Sequence, residues 1–161
     1  MEQRKFKPFG TVSALSLGGG GIGNVWGETT RSESVSTVNL AIESGINHLD
    51  VAPMYGKGDA ERVVGGALKG KDHSAINLST KCRLGTVPDS EVYTRLNDSL
   101  CRSLETMGVD KVNLFLLHSQ LIEDDYQLPL LNEHRATNAT TLSCYYSAVT
   151  VSYTHLRAHE T

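Results

Sequence analysis

Apolar and polar positions along this chain alternate between two periods. Short apolar runs that suit buried strands are separated by longer segments in which apolar residues return every three or four positions. Residues 12–17, small and apolar and then stopped by glycine, predict a first strand. An irregular glycine-rich loop to about Arg31 follows. Val35, Val38, Ala41 and Ile42 then share one helical face, with Ser32 or Ser34 placed to cap its start and Gly45 to end it. Residues 46–50 predict a second strand. Ala60, Val63, Val64, Ala67 and Leu68 form the stripe of a second helix ending at Gly70. Residues 75–80 predict a third strand. Leu96, Leu100, Leu104 and Met107 make the seam of the longest helix, opened by Asp89 or Ser90 and closed by Gly108. Residues 111–117 are almost continuously apolar, the pattern of a strand covered on both faces.

The expected order is therefore strand then helix, repeated, with strand ends at Leu17, Asp50, Thr80 and Leu117. Such alternation implies a parallel sheet with right-handed crossovers. An open doubly wound sheet and a closed (β/α) barrel both satisfy it. The open sheet would call for a dinucleotide-binding loop, and SLGGGGIGNVWG does contain the spacing Gly18, Gly20, Gly23. Its context argues against that use. The third glycine belongs in the first turn of a helix, whereas Gly23 leads into NVWGETTRS, which has no helical period. Glu43, at about the right distance for the ribose carboxylate, ends a helix rather than a strand. The glycines are expected instead to keep the backbone slim at the end of the first strand. Trp26 is then either a pocket wall or a loop anchor.

Composition narrows the class further. The 161 residues, 39% of them hydrophobic, suffice for one domain core. The net charge of −3 comes from interspersed signs, so no nucleic-acid partner is expected. No apolar run nears the ~20 residues of a membrane span, and MEQRKFKPFG lacks the apolar core of a secretory signal. A cytoplasmic protein is the expectation. Cys82, Cys101 and Cys144 are widely spaced without a CxxC pair; they read as reduced thiols, and no metal site is expected.

The informative residues stand at strand ends. Asp50 ends the second predicted strand, Lys81 directly follows the third, His118 directly follows the fourth, and Tyr55 lies in the loop after Asp50. Each alone has an ordinary explanation: a turn aspartate, a rim aromatic, an exposed lysine, a histidine at a sheet edge. In a barrel, however, the C-terminal ends of successive strands converge on one mouth. There the four types make a coherent set. An ammonium favours negative charge on a nearby phenol, and a carboxylate holds the ammonium in place. An imidazole can donate a hydrogen bond to a carbonyl oxygen. Together they can protonate that oxygen while hydride reaches its carbon. The hydride must come from a nicotinamide, since no side chain supplies one.

With these residues in view, the chain resembles the aldo-keto reductases. GINHLDVAPMYGKGDAERVVGGAL, residues 45–68, resembles the first family signature, while LSTK (78–81) and GVDKVNLFLLHSQ (108–120) are similar to its third- and fourth-strand motifs. The likeness covers roughly residues 4–149. It implies an α/β fold, the first half of a (β/α)8 TIM barrel, with about four β/α units on a parallel sheet. It implies an oxidoreductase that interconverts aldehydes or ketones with alcohols using NADPH, NADH being possible, on a small carbonyl or sugar-like substrate. By the same resemblance Tyr55 is the proton donor, Lys81 and Asp50 tune it, and His118 orients the substrate carbonyl. Gly20 and Asp50 would contact the cofactor, and Trp26 and His118 the substrate. Val51 departs from the threonine or serine often found beside the aspartate.

Two further expectations concern the second part of the chain. Residues 119–149 are longer and less regular than a short linker, as if inserted at a barrel mouth. Residues 1–149 are expected to be the N-terminal part of an NADP-dependent oxidoreductase domain. Residues 150–161 are expected to be a non-native tail, because VSYTHLRAHET back-translates to a sequence resembling a library adapter. A whole barrel needs eight strands and roughly 250 residues, so the chain alone is expected to be inactive. The alternative is a non-catalytic, nicotinamide-binding regulatory barrel; the presence of all four polar residues weighs against it.

Overall fold

The computed structural model describes residues 1–6, 9–118 and 150–151. The chain opens with an antiparallel hairpin, β1 (Gln3–Phe6) and β2 (Gly10–Ser13). Gly10, with φ +74°, takes the left-handed conformation as the second strand begins. The hairpin absorbs the first part of the strand expected over 12–17; only β3 (Leu17–Gly18) joins the main sheet. Asn47 is what diverts it. Its Oδ1 accepts from Ser13 N at 2.7 Å, its own N donates to Ser13 Oγ at 3.0 Å, and its Nδ2 donates to Thr11 O at 3.1 Å.

A single helical turn, α1 (Gly19–Ile22), stands inside the glycine stretch expected to be irregular. Then comes α2 (Arg31–Glu43). Its cap is Thr30 rather than Ser32 or Ser34: Thr30 Oγ1 accepts from Glu33 N at 3.2 Å and Glu33 Oε2 accepts from Thr30 N at 2.8 Å. Ser34 is buried one turn in, 2.9 Å from Thr29 Oγ1. Val38 and Ala41 face the core with Val35 and Ile42 packed beside them, and Gly45 ends the segment at φ +87°.

Next in order are β4 (His48–Asp50), α3 (Asp59–Leu68), β5 (Asn77–Cys82), α4 (Asp89–Met107) and β6 (Leu114–Leu117). The whole expected stripe of α3 is buried. Pro88 takes the N-cap position of α4 and makes no side-chain cap bond, so Asp89 and Ser90, expected to open the helix, lie inside it. Gly108 closes it at φ +65°. Residues β7 (Thr150–Val151) add a short parallel strand beside β6, where the non-native tail was expected to begin; 152–161, like 119–149, lie outside the described residues.

All pairings of the main sheet, ordered β3-β4-β5-β6-β7, are parallel. The pleat divides β4 and β5 into two faces. Leu49, Leu78 and Cys82 join one buried cluster with Val64 of α3 and Leu100 of α4. Thr80, on that same side, donates to the buried Glu61 of α3 at 2.7 Å. His48, Asp50, Ser79 and Lys81 alternate onto the opposite face. Cys82 is a free, buried thiol, whereas Cys101 is disulfide-bonded, against the reduced-thiol expectation. Among the described residues no helix is long and apolar enough to cross a membrane.

Candidate active site

Register sets the first part of the site. Asp50 sits opposite Ser79, which places Lys81 two residues further along the same face of β5. Lys81 therefore lies within the strand, not just after it. The apolar run ends at Thr80, but the strand continues because Lys81 and Cys82 pair with Leu116 and Leu117. The ammonium is also satisfied: Lys81 Nζ donates to both Asp50 oxygens and to Val51 O, each at 2.9 Å. Three protons meet three acceptors. With side-chain exposures of 12% for Lys81 and 33% for Asp50, the pair is largely shielded from solvent. Val51 takes part through its carbonyl, so its wholly buried side chain is free to serve the core.

Tyr55 is carried by the loop between β4 and α3. Gly56, Lys57 and Gly58 all have φ between +54° and +87°, which folds the loop tightly. Gly19, at the start of α1, and Gly23, just past its end, lie against it. A Cβ on Gly19 would stand 3.1 Å from both Tyr55 Cδ2 and Asp50 O, and one on Gly23 would stand 3.0 Å from Tyr55 O. A Cβ on Gly56 would collide with the Gly23 carbonyl. Here is the use of the glycine stretch: it brings the backbone after β3 onto the tyrosine loop.

Tyr55 meets the other chemistry-bearing groups across this loop. Lys81 Nζ stands 4.9 Å from its ring centroid, and the His118 ring meets it edge-on at 5.3 Å and 89°. His118 is held by its backbone N, which donates to Cys82 O at 2.8 Å just past the end of β6. Burial first, then the positive charge of Lys81, pushes the His118 imidazole below its ordinary range; Asp50 opposes the shift and Arg83 adds to it. The ring is therefore neutral near pH 7. Among the described residues its buried Nδ1 has no partner. An orphaned lone pair is tolerated better than an orphaned N–H, so the proton belongs on Nε2.

The structure thus brings Asp50, Tyr55, Lys81 and His118 into one cluster at the C-terminal ends of β4, β5 and β6. Trp26 is 82% exposed, with its six-membered ring lying over the buried Gly20: a Cβ there would be 2.8 Å from Trp26 Cη2. Gly20 also gives its carbonyl to Val25 N at 3.0 Å. Two polar residues of the cluster went unnoticed in the sequence. Ser79 Oγ donates to Asp50 Oδ1 at 2.6 Å, and His48 Nε2 lies 3.0 Å from Ser79 Oγ. Each stands two residues before a residue that was singled out, so the period-2 pleat was the signal for both.

This cluster has a phenol, a fixed ammonium and a neutral imidazole, which suits proton delivery to an oxygen. It holds no reductant of its own, and a nicotinamide fits that need.

Residues 14–134 match the model of the aldo/keto reductase family. A relative from Escherichia coli K12, the NADH-specific methylglyoxal reductase, is 31% identical over 129 residues, covering 70% of this chain and 40% of that relative. An aldo-keto reductase of Bacillus halodurans, solved in its holo form, superposes with a TM-score of 0.66 at 25% identity, over 94% of this chain and 50% of that one. An aldo-keto reductase of Klebsiella pneumoniae solved with NADPH shares the fold at a TM-score of 0.64 and 23% identity, over 85% of this chain and 47% of that one. The chain thus spans half or less of the length of these relatives, and its parallel sheet corresponds to about half of a (β/α)8 barrel rather than to an open doubly wound sheet. The chain belongs to the aldo/keto reductase family.

Proposed function

We propose that this chain carries the proton-delivering half of an NAD(P)-dependent carbonyl oxidoreductase that interconverts small aldehydes or ketones, sugar-like ones included, with alcohols. One observation carries the reading: an ammonium held by three acceptors beside the ring of Tyr55, with His118 at that ring's edge. A nicotinamide bound at this site would supply hydride to the carbonyl carbon. Tyr55 gives its hydroxyl proton to the carbonyl oxygen. The Lys81 charge stabilises the phenolate left behind, and Asp50 keeps that charge from swinging away. His118, neutral and protonated on Nε2, donates to the same oxygen and aims it. In the oxidative direction the Tyr55 phenolate takes the proton back from the alcohol. Trp26 offers its exposed indole face to the ligands, and Gly20 is the seat that lets the indole lie flat.

NADPH and NADH both remain arms of the test, because the relative from E. coli K12 is NADH-specific by name. Given the chain's share of its relatives' length, we expect it alone to hold the dinucleotide weakly and to turn over little. The experiment compares this chain with a protein joining it to the remaining barrel strands, using methylglyoxal and either nucleotide. Trp26 is the sole tryptophan of this chain, so in the chain alone a change in its fluorescence on adding nucleotide is the expected signal of binding. Expected results are carbonyl-dependent nucleotide oxidation by the completed barrel, and its loss in Tyr55→Phe with binding retained. Undiminished turnover in Tyr55→Phe overturns the assignment. Binding without turnover on any carbonyl would instead identify a regulatory barrel.

A further inference from the structure

His48 and Ser79 occupy the same strand faces as Asp50 and Lys81, one pleat earlier on each strand. Counting donors fixes the direction of the contacts that join them. An ionised carboxylate only accepts, so the single hydroxyl proton of Ser79 goes to Asp50 Oδ1, at 2.6 Å. Ser79 Oγ, having given that proton, receives one from His48 Nε2 at 3.0 Å. His48 Nδ1 is then a bare lone pair and accepts from Ser16 Oγ at 2.8 Å. Four side chains from β4, β5 and the segment before β3 form one directed line of donors ending on the carboxylate. The ring at its centre is clamped: Phe9 packs on it with ring centroids 4.9 Å apart. Burial, with a smaller push from Lys81 and an opposing pull from Asp50, keeps it below the ordinary imidazole range and hence neutral.

The line has a definite mechanical consequence. The terminal torsion of an aspartate is soft and roughly two-fold, so an ion pair alone leaves the carboxylate plane poorly fixed. A second donor on Oδ1 from a wholly buried serine removes that freedom. The carboxylate plane in turn sets where Lys81 Nζ can meet both oxygens at once.

We propose that His48 and Ser79 are positioning residues of the carbonyl-reducing site: His48, with its proton on Nε2, directs the Ser79 hydroxyl onto Asp50, fixing the carboxylate that holds the Lys81 ammonium beside Tyr55. The role rests on the function proposed above; the hydrogen-bond line itself does not.

Two nuclear magnetic resonance measurements on the chain as it stands test the line without any turnover. In ¹⁵N-labelled protein, with His48→Gln identifying the signal among the six histidines, His48 should appear as the neutral Nε2–H tautomer; the Nδ1–H tautomer overturns the proposal. The ammonium protons of Lys81 should exchange with water several-fold faster in Ser79→Ala and His48→Leu. In His48→Gln, whose amide still donates to Ser79, exchange should stay near the unsubstituted rate. Unchanged exchange in Ser79→Ala, or equal rates in the two His48 variants, overturns it. If a variant fails to fold, the tautomer in the unsubstituted protein decides.

Turnover separates this inference from the function it serves. In the completed barrel, Ser79→Ala should lower kcat about tenfold with KM unchanged, and His48→Gln should keep most of it. A barrel that turns over no carbonyl at all refutes the proposed reaction, while the tautomer and exchange data still judge the line.

Discussion

At the scale of single residues, the glycine stretch gives the sharpest test, because neighbouring positions have opposite surroundings. A Cβ on Gly19 would stand 3.0 Å from Val51 Cγ1 and 3.1 Å from both Asp50 O and Tyr55 Cδ2. Val51 is fully buried and Asp50 O is backbone, so the tyrosine ring is what must yield. A Cβ on Gly21, in the same helical turn, meets nothing within 4 Å. Gly19→Ala is therefore expected to destabilise the chain by about 1–3 kcal/mol, while Gly21→Ala is neutral or gains up to about 1 kcal/mol from helix propensity. Urea midpoints compare them; equal effects would mean that the glycines do not set the approach to Tyr55. Asp50, Tyr55, Lys81 and His118 were legible because ionisable types stand out where apolar runs stop. Ser79 and His48 were not, since a serine inside a strand and a histidine before a leucine look like ordinary sheet residues until register sets them against Asp50.

At the scale of elements, α3 and α4 meet closely at one glycine. A Cβ on Gly65 would lie 2.8 Å from Met107 O and 2.9 Å from Thr106 O, both backbone atoms that cannot turn aside. The next residue, Gly66, would meet only Val35 Cγ2, at an ordinary 3.6 Å. Gly65→Ala should thus push the helices apart and cost about 1–3 kcal/mol or more, whereas Gly66→Ala should be neutral or stabilising. Chemical denaturation of both variants checks this, and an undisturbed Gly65→Ala would rule out the close crossing. The stripes of α2, α3 and α4 were readable because each buries one face in the shared hydrophobic cluster. Helix starts were less so: Ser32, Ser34, Asp89 and Ser90 all have the right type, but only the chain path before the helix decides which residue is left outside it. The β1–β2 hairpin was missed for a related reason. Its strands are short, largely exposed and pinned by Asn47, a contact across more than thirty positions that no local period encodes.

At the scale of the whole molecule, strand-helix alternation revealed the parallel sheet, and the chemistry at the strand ends favoured a barrel over an open sheet. What alternation does not encode is the cost of assembling that chemistry, and pH exposes it. His48 and His118 are both held below the ordinary imidazole value of 6.5, in each case mainly by burial. In the unfolded chain they regain that ordinary value. Between the two values the unfolded state binds more protons than the folded one, so stability rises with pH through this window. It is fully present above about 6.5 and is lost as pH falls towards the folded-state values. Glu33 acts lower down. Its carboxylate, kept below the ordinary 4.5 by hydrogen bonds from Thr30, contributes stability that is lost only as pH falls through its own depressed value. Urea unfolding across a pH series should therefore show a first decline beginning near the ordinary imidazole value and a second below the ordinary carboxylate one. His48→Gln removes one of the two imidazoles and should shallow the first decline while leaving the second unchanged; Thr30→Ala should do the reverse. A first decline that keeps its slope in His48→Gln would mean that the ring is not held neutral inside the fold, and the directed line of donors onto Asp50 would lose its starting condition.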